Sequence, residues 1–136
     1  MKTGSSVNPS SAKYVLDTSA LIAYLAEEPG AARLTSLRHD LALPFVVLTE
    51  LYYVMWRQQD QLVADETLQH VLSWHLPLLI ADERLSVSAG YLKARYRLGL
   101  ADSYVAAFAL AHRAVLVTND PDFRPLQPDL KLLSLR

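Results

Sequence analysis

Short apolar runs alternate along this chain with longer segments of helical spacing. Tyr14–Leu16 is long enough for one buried strand. Thr18 and Ser19 then offer capping hydroxyls to a helix over Ala20–Ala26, which Pro29-Gly30 stops. Ala31–Arg38 predicts a second helix, and Leu41–Leu43 a weak strand bounded by Pro44. Val46–Gln59 reads as a helix with a wide apolar face. Leu68, Val71 and Leu72, three and four apart, place another over Asp65–Trp74. Pro77 opens a strand, Leu78–Ala81, and Asp82 caps a helix whose stripe is Leu85, Ala89, Leu92 and Tyr96. Gly99 breaks that helix. Leu100–His112 is apolar nearly all round and is expected to be buried. Ala114–Val117 predicts a strand, and Lys131–Leu133 a last short one. Strands alternating with helices predict an α/β sandwich around a mostly parallel sheet.

Four acids interrupt these apolar stretches. Asp17 follows the first strand, and Asp120 follows Val115-Leu116-Val117-Thr118-Asn119. Glu50 falls inside the helix from Val46, and Asp102 in the first turn of the helix from Leu100. Each has a structural explanation when taken alone. Asp17 can cap a helix, Asp102 can answer a helix dipole, and Asp120-Pro121 can open a turn. Glu50 can stand on a solvated edge beside Thr49, Gln58 and Gln59, although its neighbours leave little room for one. Taken together they mean more. Parallel sheets bind ligands beyond the carboxyl ends of their strands, where Asp17 and Asp120 are expected to lie. Carboxylates gathered there repel one another unless cations intervene. An oxygen-rich cluster without cysteine suits a hard cation such as Mg²⁺ or Mn²⁺.

Composition narrows the picture further. The 136 residues fit one domain, and 51% hydrophobic content is enough for a real core. With no cysteine, disulfides and thiolate zinc sites are excluded. The four histidines show no close ligand spacing. The net charge of −1 leaves nucleic-acid binding open and requires any such surface to be local. Ser-rich Met1–Ala12 reads as a flexible leader, with the folded unit at residues 13–136. No run approaches a membrane span, so the protein is expected in the cytoplasm.

The acidic segments resemble those of PIN-domain ribonucleases, and more closely the VapC-type toxins of bacterial toxin–antitoxin pairs. Tyr14-Val15-Leu16-Asp17-Thr18-Ser19-Ala20-Leu21-Ile22 resembles the family's opening strand and first acid. Thr49-Glu50-Leu51 resembles its second-acid helix. Leu100-Ala101-Asp102-Ser103-Tyr104-Val105-Ala106-Ala107 resembles its third motif, and Val117-Thr118-Asn119-Asp120-Pro121-Asp122-Phe123 its fourth. Each segment alone is a weak signal. All four in order, from about Lys13 to Leu135, are specific. The fourth holds two acids, and Asp122 stands as an additional candidate beside Asp120.

The resemblance implies a PIN-like three-layer fold and hydrolysis of RNA phosphodiesters with one or two Mg²⁺ or Mn²⁺ ions. Asp17, Glu50, Asp102 and Asp120 would be the catalytic, metal-holding set. Thr18, Ser19, Thr118 and Asn119 would support them. Arg33, Lys93 and Arg97 are candidates for RNA contact, with Lys93 and Arg97 expected on one helix face at i, i+4. The resemblance also implies a cognate antitoxin and a homodimer. The bulky stretch Leu51–Trp56 suggests a surface for one of them. Two other readings stand beside it. A phosphatase with Asp17 as nucleophile would want an acid where Ser19 stands. A PIN-like module that binds RNA without cutting it would keep the shape and lose the chemistry.

Overall fold

A computed structural model describes residues 12–136, so the expected leader lies outside the described residues apart from Ala12. Five strands form one sheet: β1 (Tyr14–Leu16), β2 (Leu41–Pro44), β3 (Leu78–Leu79), β4 (Val115–Val117) and β5 (Leu132–Leu133). Their order is β3-β2-β1-β4-β5 and every pairing is parallel. Val15, Leu16, Ala42, Leu116 and Val117 are fully buried, as expected of central parallel strands that alternate nothing. The chain runs outward from β1 to β2 and β3, then returns to β4 on its other side. The order therefore reverses between β1 and β4, and a crevice opens there at the strands' carboxyl ends.

Five helices flank the sheet: α1 (Thr18–Leu25), α2 (Phe45–Gln58), α3 (Gln61–Leu72), α4 (Glu83–Tyr96) and α5 (Leu100–Ala111). The run Val105–Ala109 is buried, and α5 packs on β1, β2 and β4 while α4 packs on α5. The all-round burial expected of α5 stops short of its start, where Leu100 is 66% exposed. In the same first turn Asp102 is half-buried.

Several local expectations are corrected. Thr18 and Ser19 lie inside α1, and Asp17 takes the N-cap position without a side-chain capping bond. Residues Ala31–Asp40 form 3₁₀ turns and no α-helix. Helix α3 starts four residues earlier than expected, because Asp60 accepts from Val63 N at 2.8 Å and caps it there. The strand expected over Leu78–Ala81 pairs only at Leu78 and Leu79, and Ile80 is exposed. The stretch Leu51–Trp56 divides. Leu51 is core, whereas Tyr53 and Trp56 face outward.

Gly30 shows how the chain end is fitted to the fold. Its φ is +85°, and a Cβ placed there would overlap the carbonyl oxygen of Leu135. Both the left-handed backbone and the close approach require glycine. Gly30→Ala should lower stability by about 1–3 kcal/mol, read from urea unfolding at constant m. An unchanged midpoint would show that the C-terminal strand yields freely.

Candidate metal centre

The register of β1 on β4 builds the site. Leu16 pairs with Val117, and Asp17 N continues the ladder by donating to Val117 O at 3.0 Å. Asp17 and Thr118 are therefore neighbours at the ends of adjacent strands. The Asp17 side chain is only 2% exposed. Thr118 Oγ1 donates to Asp17 Oδ2 at 2.7 Å, and Ser19 Oγ donates to the same oxygen at 2.9 Å. The hydroxyl oxygens in turn accept backbone amides, Ser19 Oγ from Asn119 N at 2.9 Å and Thr118 Oγ1 from Asp120 N at 3.0 Å. Each hydroxyl has one proton. With both protons on Asp17, the 3.1 Å approach of Ser19 Oγ to Thr118 Oγ1 is a contact between two donors.

The same interlocking fixes the neighbours. Thr18 Oγ1 donates to Glu50 Oε1 at 2.6 Å, tying α1 to α2 across 32 residues of sequence. Asn119 Oδ1 accepts from Leu135 N at 2.8 Å and from Ser134 Oγ at 3.2 Å, which anchors the β4 loop to the chain end. Asp120 caps the short 3₁₀ segment Pro121–Leu126 by accepting from Asp122 N at 2.9 Å. That bond turns the chain so that Asp122 comes back beside Asp120. One carboxylate oxygen each from Asp102, Asp120 and Asp122 lies within 4.8 Å of the others.

Electrostatics connect all five acids. Burial is the main cause that pushes the Asp17 carboxyl above its ordinary value, and Glu50 adds to it. Hydrogen bonds from Thr118, Ser19 and the Thr18 backbone oppose the rise without cancelling it. Asp102 is pushed up to about 7, first by desolvation and then by Asp17, Asp120, Glu50 and Asp122. Every charge acting on Asp102 is thus negative. The donors are all carboxylate oxygens, close together and short of positive charge. That set fits a hard divalent cation.

Of the acids expected from the sequence, Asp102 and Asp120 come together with the additional candidate Asp122, while Asp17 and Glu50 stand outside that trio and near enough for their charges to act on Asp102. Thr18, Ser19, Thr118 and Asn119 all take supporting bonds. Ser134, which clamps Asn119, carried no sequence signal, because its partner is 15 residues away. The basic residues fare differently. Arg33 is exposed within the 3₁₀ turns. Lys93 Nζ donates to Leu98 O at 3.0 Å and so closes the end of α4. Arg97 is the C-cap of α4, with φ of 57° and its N–H donated to Lys93 O at 3.1 Å.

Similarity to known proteins agrees with this geometry. The PIN domain pattern matches residues 14–127. Among solved structures, DNA-bound VapBC from Salmonella typhimurium aligns with a TM-score of 0.76 at 20% identity, covering 92% of this chain and 99% of that one. VapBC2 from Rickettsia felis, bound to a DNA fragment from their promoter, aligns at 0.73 and 24% identity, covering 89% and 97%. PAE2754 from Pyrobaculum aerophilum aligns at 0.71 and 22% identity, covering 94% and 93%. A search of curated proteins gave no match. At these identities the structural likeness establishes the fold. The sequence pattern covers most of the chain and includes Asp17, Glu50, Asp102 and Asp120, and the chain belongs to the PIN-domain family.

Proposed function

We propose that this protein is a metal-dependent endoribonuclease and the VapC-type toxin of a toxin–antitoxin pair, with residues 13–136 as its single PIN unit. The observation that carries the reading is geometric: one carboxylate oxygen each from Asp102, Asp120 and Asp122 lies within 4.8 Å of the others, next to the buried end of β1 that carries Asp17. Carboxylates this close repel one another, and Mg²⁺ or Mn²⁺ would relieve the repulsion. Asp17, Glu50, Asp102 and Asp120, with Asp122 beside them, would hold one or two ions. Bound there, a divalent ion supplies an acidified water at neutral pH and positive charge facing the phosphate. The chain's own residues supply position. Thr118 and Ser19 hold Asp17 by one oxygen, and Thr18 holds Glu50. The carboxylates would hold the ion and help to orient its water toward the phosphate.

The partners follow from the same reading. VapBC relatives are toxin–antitoxin complexes, and a cleft of about 530 Å³ beside α1 and α2, lined by Ile22, Leu25, Met55 and Gln58, is wide enough for an antitoxin segment. An antitoxin arginine reaching the acids would neutralise them in place of the metal, since its planar fork binds two carboxylate oxygens. Exposed Ile80, Val87 and Tyr91 offer apolar surface for a second copy of the chain. Among the described residues no helix is long and apolar enough to cross a membrane, in keeping with a cytoplasmic RNA substrate.

RNA should be cut with Mg²⁺ or Mn²⁺ and left intact in excess chelator; undiminished cutting in chelator overturns the metal mechanism. Asp17→Asn keeps the shape and removes the charge, so turnover should fall on the order of 100-fold or more while the fold persists. Asp120→Asn and Asp122→Asn should both weaken turnover, Asp120→Asn the more.

Stability of the metal-free protein should depend on pH in a stated direction. Asp102 ionises near 3.8 when unfolded and about 7 when folded. Between those values the folded state keeps a proton that the unfolded state has lost. Stability therefore declines as pH rises from about 4 to about 7, and is not lost further above it. The raised Asp17 acts with the same sign. In chelator, Asp102→Asn should melt progressively higher than wild type across that window, and added Mg²⁺ should narrow the gap. A constant gap would show that Asp102 is not strained by its neighbours.

Light scattering at micromolar concentration should give a dimer, and a strict monomer removes that claim. In the antitoxin, replacing the inserted arginine by alanine should cost more inhibition than binding. Full inhibition by an antitoxin without any basic residue near the acids would make the block steric.

A further inference from the structure

Five acids gather at the crevice, yet the substrate proposed for it is a polyanion. A metal can answer for the phosphate being cut, whereas the phosphates on either side need positive charge from the protein. Of the basic residues expected to provide it, Lys93 and Arg97 stand at the end of α4, where one Lys93 N–H is donated to Leu98 O, and Arg33 stands in the 3₁₀ turns. A different cation borders the acids. A small cavity of about 170 Å³ opens beside Asp120, lined by Thr118, Asn119, Asp120, Arg124, Gln127 and Ser134. Arg124 is the one positively charged residue lining it.

We propose that this cavity is a subsite for a backbone phosphate of the RNA strand next to the one being cut, with Arg124 as its anchor. The proposal rests on the ribonuclease reading above and deepens it.

The cavity's size and donors suit that ligand. Nucleoside-sized ligands usually occupy pockets of roughly 300–1,000 Å³, so this cavity takes a phosphate and the edge of a sugar, and excludes a base. Asn119 Oδ1 is occupied by Leu135 N and Ser134 Oγ, so what its side chain has left to offer is NH₂ donors. Gln127 brings a second amide and Arg124 a guanidinium fork, which matches phosphate geometry. The segment that carries it is held from below. Arg124 lies in the 3₁₀ segment between Phe123 and Leu126, which are 0% and 3% exposed, while its own side chain faces solvent. Phe123 and Leu126 fix the segment to the core, so Arg124 itself is dispensable for folding. Asp120 belongs to both places, with one face to the acids and one to the cavity. A strand crossing the crevice thus meets the metal-holding acids on one side of Asp120 and the guanidinium on the other.

The test uses the full chain and a short single-stranded oligoribonucleotide that the wild type cuts, found by cleavage of a random-sequence pool. Binding is read by fluorescence anisotropy in an Asp17→Asn background, with and without Arg124→Gln. Each phosphate of the oligonucleotide is replaced in turn by a neutral methylphosphonate. Arg124→Gln should leave the melting temperature unchanged and weaken binding about tenfold, the size of one charge-assisted contact. The slope of log affinity against log salt should shrink by about 0.7, one phosphate's share for single strands. With Asp17 restored, KM should rise while kcat holds. At one phosphate beside the cut, neutralisation should weaken binding to the Arg124 protein and leave the Arg124→Gln protein unaffected. If the two scans superpose at every position, Arg124 has no phosphate partner and the proposal falls, even where RNA is bound and cut. If no RNA in the pool is bound or cut, the ribonuclease reading falls and the subsite falls with it.

Discussion

The structure depends on a carboxylate that is hard to bury. Asp17 sits at the carboxyl end of the central strand with almost no solvent contact. A buried carboxylate is stable only where hydrogen bonds or opposite charge replace water. Here two hydroxyls, from Thr118 and Ser19, converge on one of its oxygens. Thr118 reaches it because β1 and β4 are in register, and Ser19 because α1 begins at once after the strand. Backbone amides of the β4 loop then orient both hydroxyls. Strand pairing, helix start and loop conformation are therefore coupled through one side chain. The coupling does not fully neutralise it, since its proton affinity remains raised.

That residual imbalance is the useful part. Asp102 is raised to about 7, first by burial and then by the acids around it. A fold selected for stability alone would separate these charges or insert a lysine among them. This one gathers them where the strand order reverses, the place that parallel sheets offer for ligands. The strain is affordable because the core beneath is dense with apolar side chains, Leu16, Leu21, Leu116 and Phe108 among them. A divalent ion would remove the repulsion, so metal affinity and metal-free instability are two sides of one arrangement.

The sequence showed the strands and helices because burial of parallel strands leaves short continuous apolar runs, and acids interrupting such runs are visible without a structure. Partnerships over long range were not visible. Thr18 and Ser19 read as helix caps because a hydroxyl before an apolar helix usually bonds locally. Their actual partners are Glu50, Asp17 and the Asn119 amide, the first and last supplied by other parts of the chain. The segment 31–40 has helical composition, but Gly30 enters it in a left-handed conformation pressed on Leu135, and the tighter 3₁₀ winding follows. Lys93 and Arg97 have helical spacing, yet spacing cannot report that the helix ends at Tyr96.

Asp120 explains why the fourth acidic segment carries two acids. The end of β4 adds a carboxylate to the acidic cluster, and the chain must also turn sharply to reach β5. Asp120 does both, since Oδ1 accepts the Asp122 amide and so opens the turn that Pro121 begins. The geometry of such a turn places the residue two positions on beside the capping carboxylate, and here that residue is Asp122. An apolar residue at that position would face solvent and acids, whereas a basic one would pair with Asp120 and compete with a metal. An acid extends the cluster instead. Arg124 follows two residues later, outside the cluster on the cavity side of Asp120. The six-residue segment Pro121–Leu126 thus sorts charge by side, negative toward the crevice and positive toward the cavity, with Phe123 and Leu126 as its pins in the core.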